Sequence, residues 1–305
     1  MREDVMNDAL TAPPVQLRQP LVVPHHLEYT LRHRKYTFQS DQRDQLMYPS
    51  PSYYRLKLLV PLRNIVAITL SSGVFPITEY NVNAYNQFLD IDVGGTVYTI
   101  QVPEGEYTET TLAPAVQAAI QALGPPLAGF TVVLDPLTRR ITVANAAPFT
   151  LLFRSGPSVN KSLWQVLGFL QVDVGPALSV TSSGVIDLAG TTAIDMFIEE
   201  VSCNIDSTDN AVARISLQKF SPVSSLTYFT PTNYGVLRKF WPIGRLQYLT
   251  FQLMVKVSEL QPDGTVVVKY RPYEFNGRNH TMQLAISCKE YESPQDEFVE
   301  LDPQS

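Results

Sequence analysis

Apolar and polar positions alternate with a period of two along much of this chain, and prolines and glycines punctuate the runs. Tyr54, Leu56, Leu58 and Val60 alternate, and a denser run follows at Ile65, Val66, Ile68 and Leu70. The pattern predicts two strands broken near Pro61, the second ended by Val74-Phe75-Pro76. Phe88–Val93 alternates again, and Gly94-Gly95 turns the chain into Val97, Thr99, Ile100 and Val102, a hairpin signal. Phe130–Leu134 and Arg140–Val143 form a second hairpin, turned by Asp135-Pro136-Leu137-Thr138, and Phe149–Phe153 adds a strand. Further strands are expected at Met196–Ile205, Ala213–Phe220, Leu249–Val257, Val266–Tyr270 and Met282–Cys288, with a turn at Pro262-Asp263-Gly264.

One segment has a helical period. Leu112, Val116, Ala119, Ile120 and Leu123 share a face, which predicts a helix over 108–123. Thr108, Thr110 or Thr111 can cap it, and Gly124-Pro125-Pro126 stops it. Ser162–Leu167 reads as a short helical turn ended by Gly168. Residues 172–192, rich in Gly, Ser, Thr and Pro, read as a loop or boundary. The fold class that follows is mainly β. Residues 1–50, with short apolar runs between prolines, read as an extended arm in which Tyr36-Thr37-Phe38 is a candidate first strand. A β-rich module with one inserted helix is expected over 51–190, a second β-rich part over 191–290, and an acidic tail over 291–305.

Composition sharpens this picture. Only 17% of residues are charged, below the roughly 25% of ordinary soluble domains, which suits a surface largely covered by neighbours. The net charge of −6 is concentrated at the end, where one base and six acids follow from Lys289 onward. Nucleic acid is not an expected partner, since a binder would carry a basic face. The cluster Arg32-His33-Arg34-Lys35 reads as a solvated or intersubunit patch. No apolar leader follows the charged start Met1-Arg2-Glu3-Asp4, and no run is long enough to span a bilayer. Cys203 and Cys288 lie in apolar, strand-like stretches and are expected as buried thiols.

Chemistry is sparse. Of four histidines, His25, His26 and His33 lie in the arm and His280 stands alone, so no metal or cofactor site is expected. No phosphate loop, nucleophile elbow or zinc-protease helix occurs, and no catalytic residues are expected. Asp90 and Asp92 would share a strand face, and a solvated face explains them best. Tyr228, Phe229, Tyr234, Phe240 and Trp241 lie in one loop-like stretch and are candidate partner contacts, as are Tyr36 and Phe38 in the arm.

The order of parts between Asn64 and Phe169 carries more. Asn64-Ile65-Val66-Ala67-Ile68-Thr69-Leu70 leads to Phe75-Pro76 and Tyr80-Asn81-Val82. Then Pro103-Glu104-Gly105-Glu106-Tyr107-Thr108 enters the helix, and Leu167-Gly168-Phe169 closes the stretch. This resembles the minor capsid and penton-type proteins of nucleocytoplasmic large DNA viruses and virophages, over roughly residues 53–290. The resemblance implies a jelly-roll-like β-sandwich, here with an inserted α/β module, no catalysis, and location in the virion after assembly in an infected host cell. It implies as partners the major capsid protein, neighbouring minor capsid proteins, and further copies of the chain as in a pentamer. A receptor- or carbohydrate-binding β module on the virion is the alternative, suggested by the aromatic stretch at 228–241.

Overall fold

The computed structural model describes residues 29–202, 210–217, 226–229, 238–261 and 263–291, apart from the side chains of residues 202, 238–241 and 291. In chain order the elements are β1 (Tyr29–Gln39), β2 (Tyr53–Pro76), β3 (Phe88–Val93), β4 (Thr96–Gln101), helix α1 (Leu112–Gln121), β5 (Thr131–Leu134), β6 (Ile141–Leu151) and β7 (Val174–Thr181). They continue as β8 (Ala193–Ile198), the short helix α2 (Glu199–Ser202), β9 (Ala213–Ser216), β10 (Leu226–Phe229), β11 (Arg238–Leu260), β12 (Val266–Pro272) and β13 (Thr281–Tyr291). Residues 31–289 form one compact unit; of a second unit, 1–30 with 290–305, only strand-end residues 29–30 and 290–291 are described.

The fold is mainly β and jelly-roll-like, with an inserted α/β module. Among the described residues, β1, β13, β2, β11, β8 and β9 lie in that order in one sheet, joined by β10 on β2 and β12 on β11; a second sheet runs β4, β3, β6, β5, with β7 on β6. All of the second sheet and α1 fall between β2 and β8, so the module is one contiguous insertion. Each sheet builds its own core. Tyr54, Ile65, Phe75, Phe251 and Leu284 anchor the first, and Ile91, Val116, Phe130, Phe149 and Leu167 the second. The expected boundary at residue 51 is not where the sheets divide. β2 pairs with β11, β13 and β10, because its Ala67–Leu70 stretch is buried and needs partners on both edges.

Several expectations change in detail. Pro61 does not break the strand. Lys57 pairs with Tyr248 and Leu62 with Leu246, so residues 58–61 stand opposite Gln247 as a bulge, where a missing N–H costs no ladder bond. Phe149–Phe153 is not separate, since β6 runs through Pro148 by a similar register shift against β7. The stretch 172–192, expected as a loop or boundary, contains strand β7; its Pro176 is tolerated because that strand is paired along one side only. The strand expected at Met196–Ile205 ends at Ile198 and becomes α2, and that expected at Ala213–Phe220 is described as β9 only to Ser216. Residues 29–39 of the expected arm are strand β1, and Phe38 is buried against Phe251, ring centroids 5.4 Å apart.

The helix is shorter than its pattern, with Thr111 at its N-cap and Leu123 exposed past its end. Leu112, Val116 and Ile120 face the module core. Its glutamines also serve β5: Val132 N–H donates to Gln117 Oε1 (2.9 Å), and Gln121 Nε2 donates to the Phe130 carbonyl (2.8 Å). The helix thereby covers backbone groups at a sheet edge. Gly168 adopts φ +76°, and a Cβ there would stand 2.5 Å from the Val185 carbonyl oxygen, which explains the glycine of the Leu167-Gly168-Phe169 motif.

A buried corner links β1, β2 and β13. The Ser40 N–H donates to the His280 carbonyl (3.0 Å), and the His280 N–H to Ser40 Oγ (2.9 Å). The His280 ring stacks on Phe75 and Phe275, and its Nε2 lies 3.0 Å from the Tyr54 hydroxyl. The buried Arg43 donates to the carbonyls of Ser40 (2.5 Å), Tyr48 (2.9 Å) and Pro49 (3.1 Å) and to Asn279 Oδ1 (2.6 Å). Burial, and then the charge of Arg43, push the His280 imidazole down to about 3.

Candidate functional site

Asparagine side chains build the turn that follows β2. Asn81 Oδ1 accepts the Tyr107 N–H (2.8 Å) and its Nδ2 donates to the Tyr107 carbonyl (2.7 Å), so one amide imitates a strand partner. Beside it, Val82 and Gly105 exchange backbone bonds of 3.2 and 3.0 Å, and Glu106 Oε2 accepts the Asn81 N–H (3.0 Å). Asn86 spans the same turn, donating to the Asn81 carbonyl (2.8 Å) and accepting the Asn83 N–H (2.7 Å). Tyr80-Asn81-Val82 and Pro103–Thr108, quoted as separate motifs in the sequence, are two halves of one clamp. Replacing Asn81 by alanine strands the Tyr107 N–H and carbonyl, and is expected to cost about 2–3 kcal/mol by thermal or urea unfolding. A loss below about 0.5 kcal/mol would mean that water replaces the amide at no cost.

This turn forms one wall of a cleft of about 760 Å³ between the inserted module and the first sheet. Tyr85, Trp164, Gln165 and Asp187 contribute from the module side, and Arg214, Lys256, Glu259 and Arg271 from β9, β11 and β12. At its edge lies a buried ion pair. Arg271 grips Glu79 with both terminal nitrogens, Nη1 to Oε1 at 2.6 Å and Nη2 to Oε2 at 2.9 Å. Glu79 also accepts the Glu274 N–H (2.8 Å) and the Thr191 hydroxyl. The Arg271 guanidinium lies 4.1 Å from the centre of the Tyr85 ring. Burial alone would lower the Arg271 pKa, but the hydrogen bonds and charge of Glu79 outweigh it and hold the guanidinium above its ordinary value. Burial, followed by the charge of Glu274, raises the Tyr85 phenol.

Other charges are held in local contacts. Gln165 Nε2 donates to Asp187 Oδ2 (3.0 Å), Arg214 Nε stands 3.7 Å from Asp195 Oδ1, and Lys269 pairs with Glu259 at 2.5 Å. Among the described residues, no group of three or more His, Cys, Asp or Glu is placed to hold a metal, and no helix is long and apolar enough to cross a membrane.

The residues singled out from sequence separate. Tyr36 is half-buried against the first core, and Phe38 is within it, so burial removes Phe38 from any surface. Tyr228 and Phe229 lie on strand β10 rather than a loop; Tyr228 is exposed and Phe229 packs on the core. Tyr234 and the side chains of Phe240 and Trp241 lie outside the described residues, as do Cys203 and the tail beyond Tyr291. Cys288 is buried. Asp90 is not solvated. It is 1% exposed and accepts bonds from Thr99 Oγ1 on β4 (2.7 Å) and from the Ser158 N–H (2.7 Å), the second of which ties the segment after β6 to β3. Asp92 does face the Gly94-Gly95 turn, accepting the Gly95 N–H (2.8 Å).

Sequence reasoning missed Glu79, Tyr85, Trp164 and Arg271 as a group. One signal was available: Glu79 is the only charged residue between Arg63 and Asp90, in a run otherwise suited to burial.

A family of unknown function (DUF5901) matches residues 27–169, ending at the last residue of the Leu167-Gly168-Phe169 motif. No curated protein matches the chain significantly. Among solved structures the chain is similar to the selenomethionine-labelled penton protein of mavirus, with 8% identity and a TM-score of 0.44 over 86% of this chain and 100% of that one.

Proposed function

We propose that this chain is a structural component of an icosahedral virus capsid, a minor capsid or penton protein that works by assembly with other capsid subunits. The observation that carries the reading is apolar surface at projecting points. Leu59, on the crest of the β2 bulge, is 104% exposed beside the exposed Val60, and Leu46 is 97% exposed beside Met47. Each such side chain gains about 1.5–3 kcal/mol when a neighbour covers it. The low charge content and the motif order over residues 64–169 support the same reading. Its partners are then the major capsid protein, adjacent minor capsid proteins and further copies of itself.

Quantitative mass spectrometry of purified virions is expected to find the chain at a fixed ratio to the major capsid protein. The double variant Leu59→Ser, Val60→Ser should melt like the parent, since neither side chain belongs to a core, yet be depleted from particles. A chain absent from virions, or a double variant packaged at the parental ratio, would sink this assignment and this contact respectively.

A further inference from the structure

We infer that the cleft between the inserted module and the first sheet is a binding site for a neutral saccharide. This goes beyond the assembly role and stands or falls without it.

The volume, about 760 Å³, suits a few sugar rings. Two aromatic side chains, Tyr85 and Trp164, line it, and aromatic faces pack well on the C–H faces of pyranoses. Tyr85 is held in place by the Arg271 guanidinium, and Trp164 by the module core, so neither must be ordered on binding. The polar groups are likewise set in advance. Gln165 is oriented by Asp187, Thr191 by Glu79, and Arg271 by Glu79.

Charge excludes an anion as the preferred ligand. Arg271 is neutralised by Glu79, Arg214 stands beside Asp195, Glu259 is paired with Lys269, and Asp187 balances the remaining Lys256.

The chain has two tryptophans, so a Trp241→Phe variant of the full chain leaves Trp164 as sole reporter. Titration with cello-, malto-, manno- and chito-hexasaccharides is expected to give a saturable change in its emission with at least one of them, and none with a heparin hexasaccharide. Gln165→Ala, at an exposed position, should keep the parental melting temperature and weaken that binding roughly tenfold, as should Tyr85→Ala. Three results would each overturn the inference: no neutral probe saturates, the sulfated probe alone binds, or Gln165→Ala binds like its parent. A shift of Trp164 emission with protein concentration, without sugar, would also overturn it, because the cleft would then be a contact between subunits.

Discussion

Replacing Glu79 by glutamine is expected to lower the unfolding free energy by about 3–5 kcal/mol, the usual cost of leaving one member of a buried ion pair behind. Both partners are shielded, with side chains 3% and 10% exposed, so solvent screening relieves little of this. The glutamine also weakens the acceptors for the Glu274 N–H and the Thr191 hydroxyl, both now bonded to a charged oxygen. Removing both charges together, as Glu79→Leu with Arg271→Met, should recover most of the loss. Desolvation of the guanidinium, with Nε unpartnered, is then no longer required. Urea unfolding of Glu79→Leu, Arg271→Met and the double variant yields the coupling energy directly. A Glu79→Gln variant within 0.5 kcal/mol of the parent would mean that the pair contributes nothing in solution.

The second large effect is on acid stability. His280 titrates at about 3 in the folded chain, against about 6.5 when exposed. Between those values the unfolded chain binds a proton that the folded chain refuses. The stabilisation is therefore complete above pH 6.5 and declines by about 1.4 kcal/mol for each pH unit on the way down, for a total on the order of 5 kcal/mol. The geometry agrees with this sign. The ring is packed between Phe75 and Phe275, and Arg43 is the nearby charge, so an imidazolium would have neither water nor a counter-ion. Denaturation midpoints between pH 7.5 and 5 test it above the range where most carboxylates titrate. A His280→Phe variant should keep the stacking, lose the Tyr54 contact, and show a much flatter pH dependence. Equal slopes for variant and parent would exclude His280 as the cause.

Most strands were legible in the sequence because they rest on local period, whereas β7 and β10, in stretches rich in turn residues or read as loop, were not. β3 with β4, and β5 with the start of β6, were read as hairpins, since Gly94-Gly95 and Asp135-Pro136 stand between alternating runs. Prolines within strands misled the reading. A Pro signals a missing N–H, but only the register shows that the N–H would have faced a bulge, as at Pro61 and Pro148, or an edge, as at Pro176. Asp90 was misjudged for a related reason. Its strand face was inferred, but the loop at 156–158 that covers the face comes from far along the chain.

What this sequence determined alone is a mainly β chain, one helix whose apolar face meets a core, and the two motifs that prove to be halves of the Asn81 clamp. Tertiary structure decided which strands share a sheet, and therefore that β2 joins the C-terminal strands across the inserted module. It also decided the candidate site, because Glu79, Tyr85, Trp164 and Arg271 are brought together from sequence separations of up to 192 residues. Periodicity governs which face of a strand is apolar. Which distant segment covers that face, and which buried charge meets its partner, depend on contacts that local pattern does not encode.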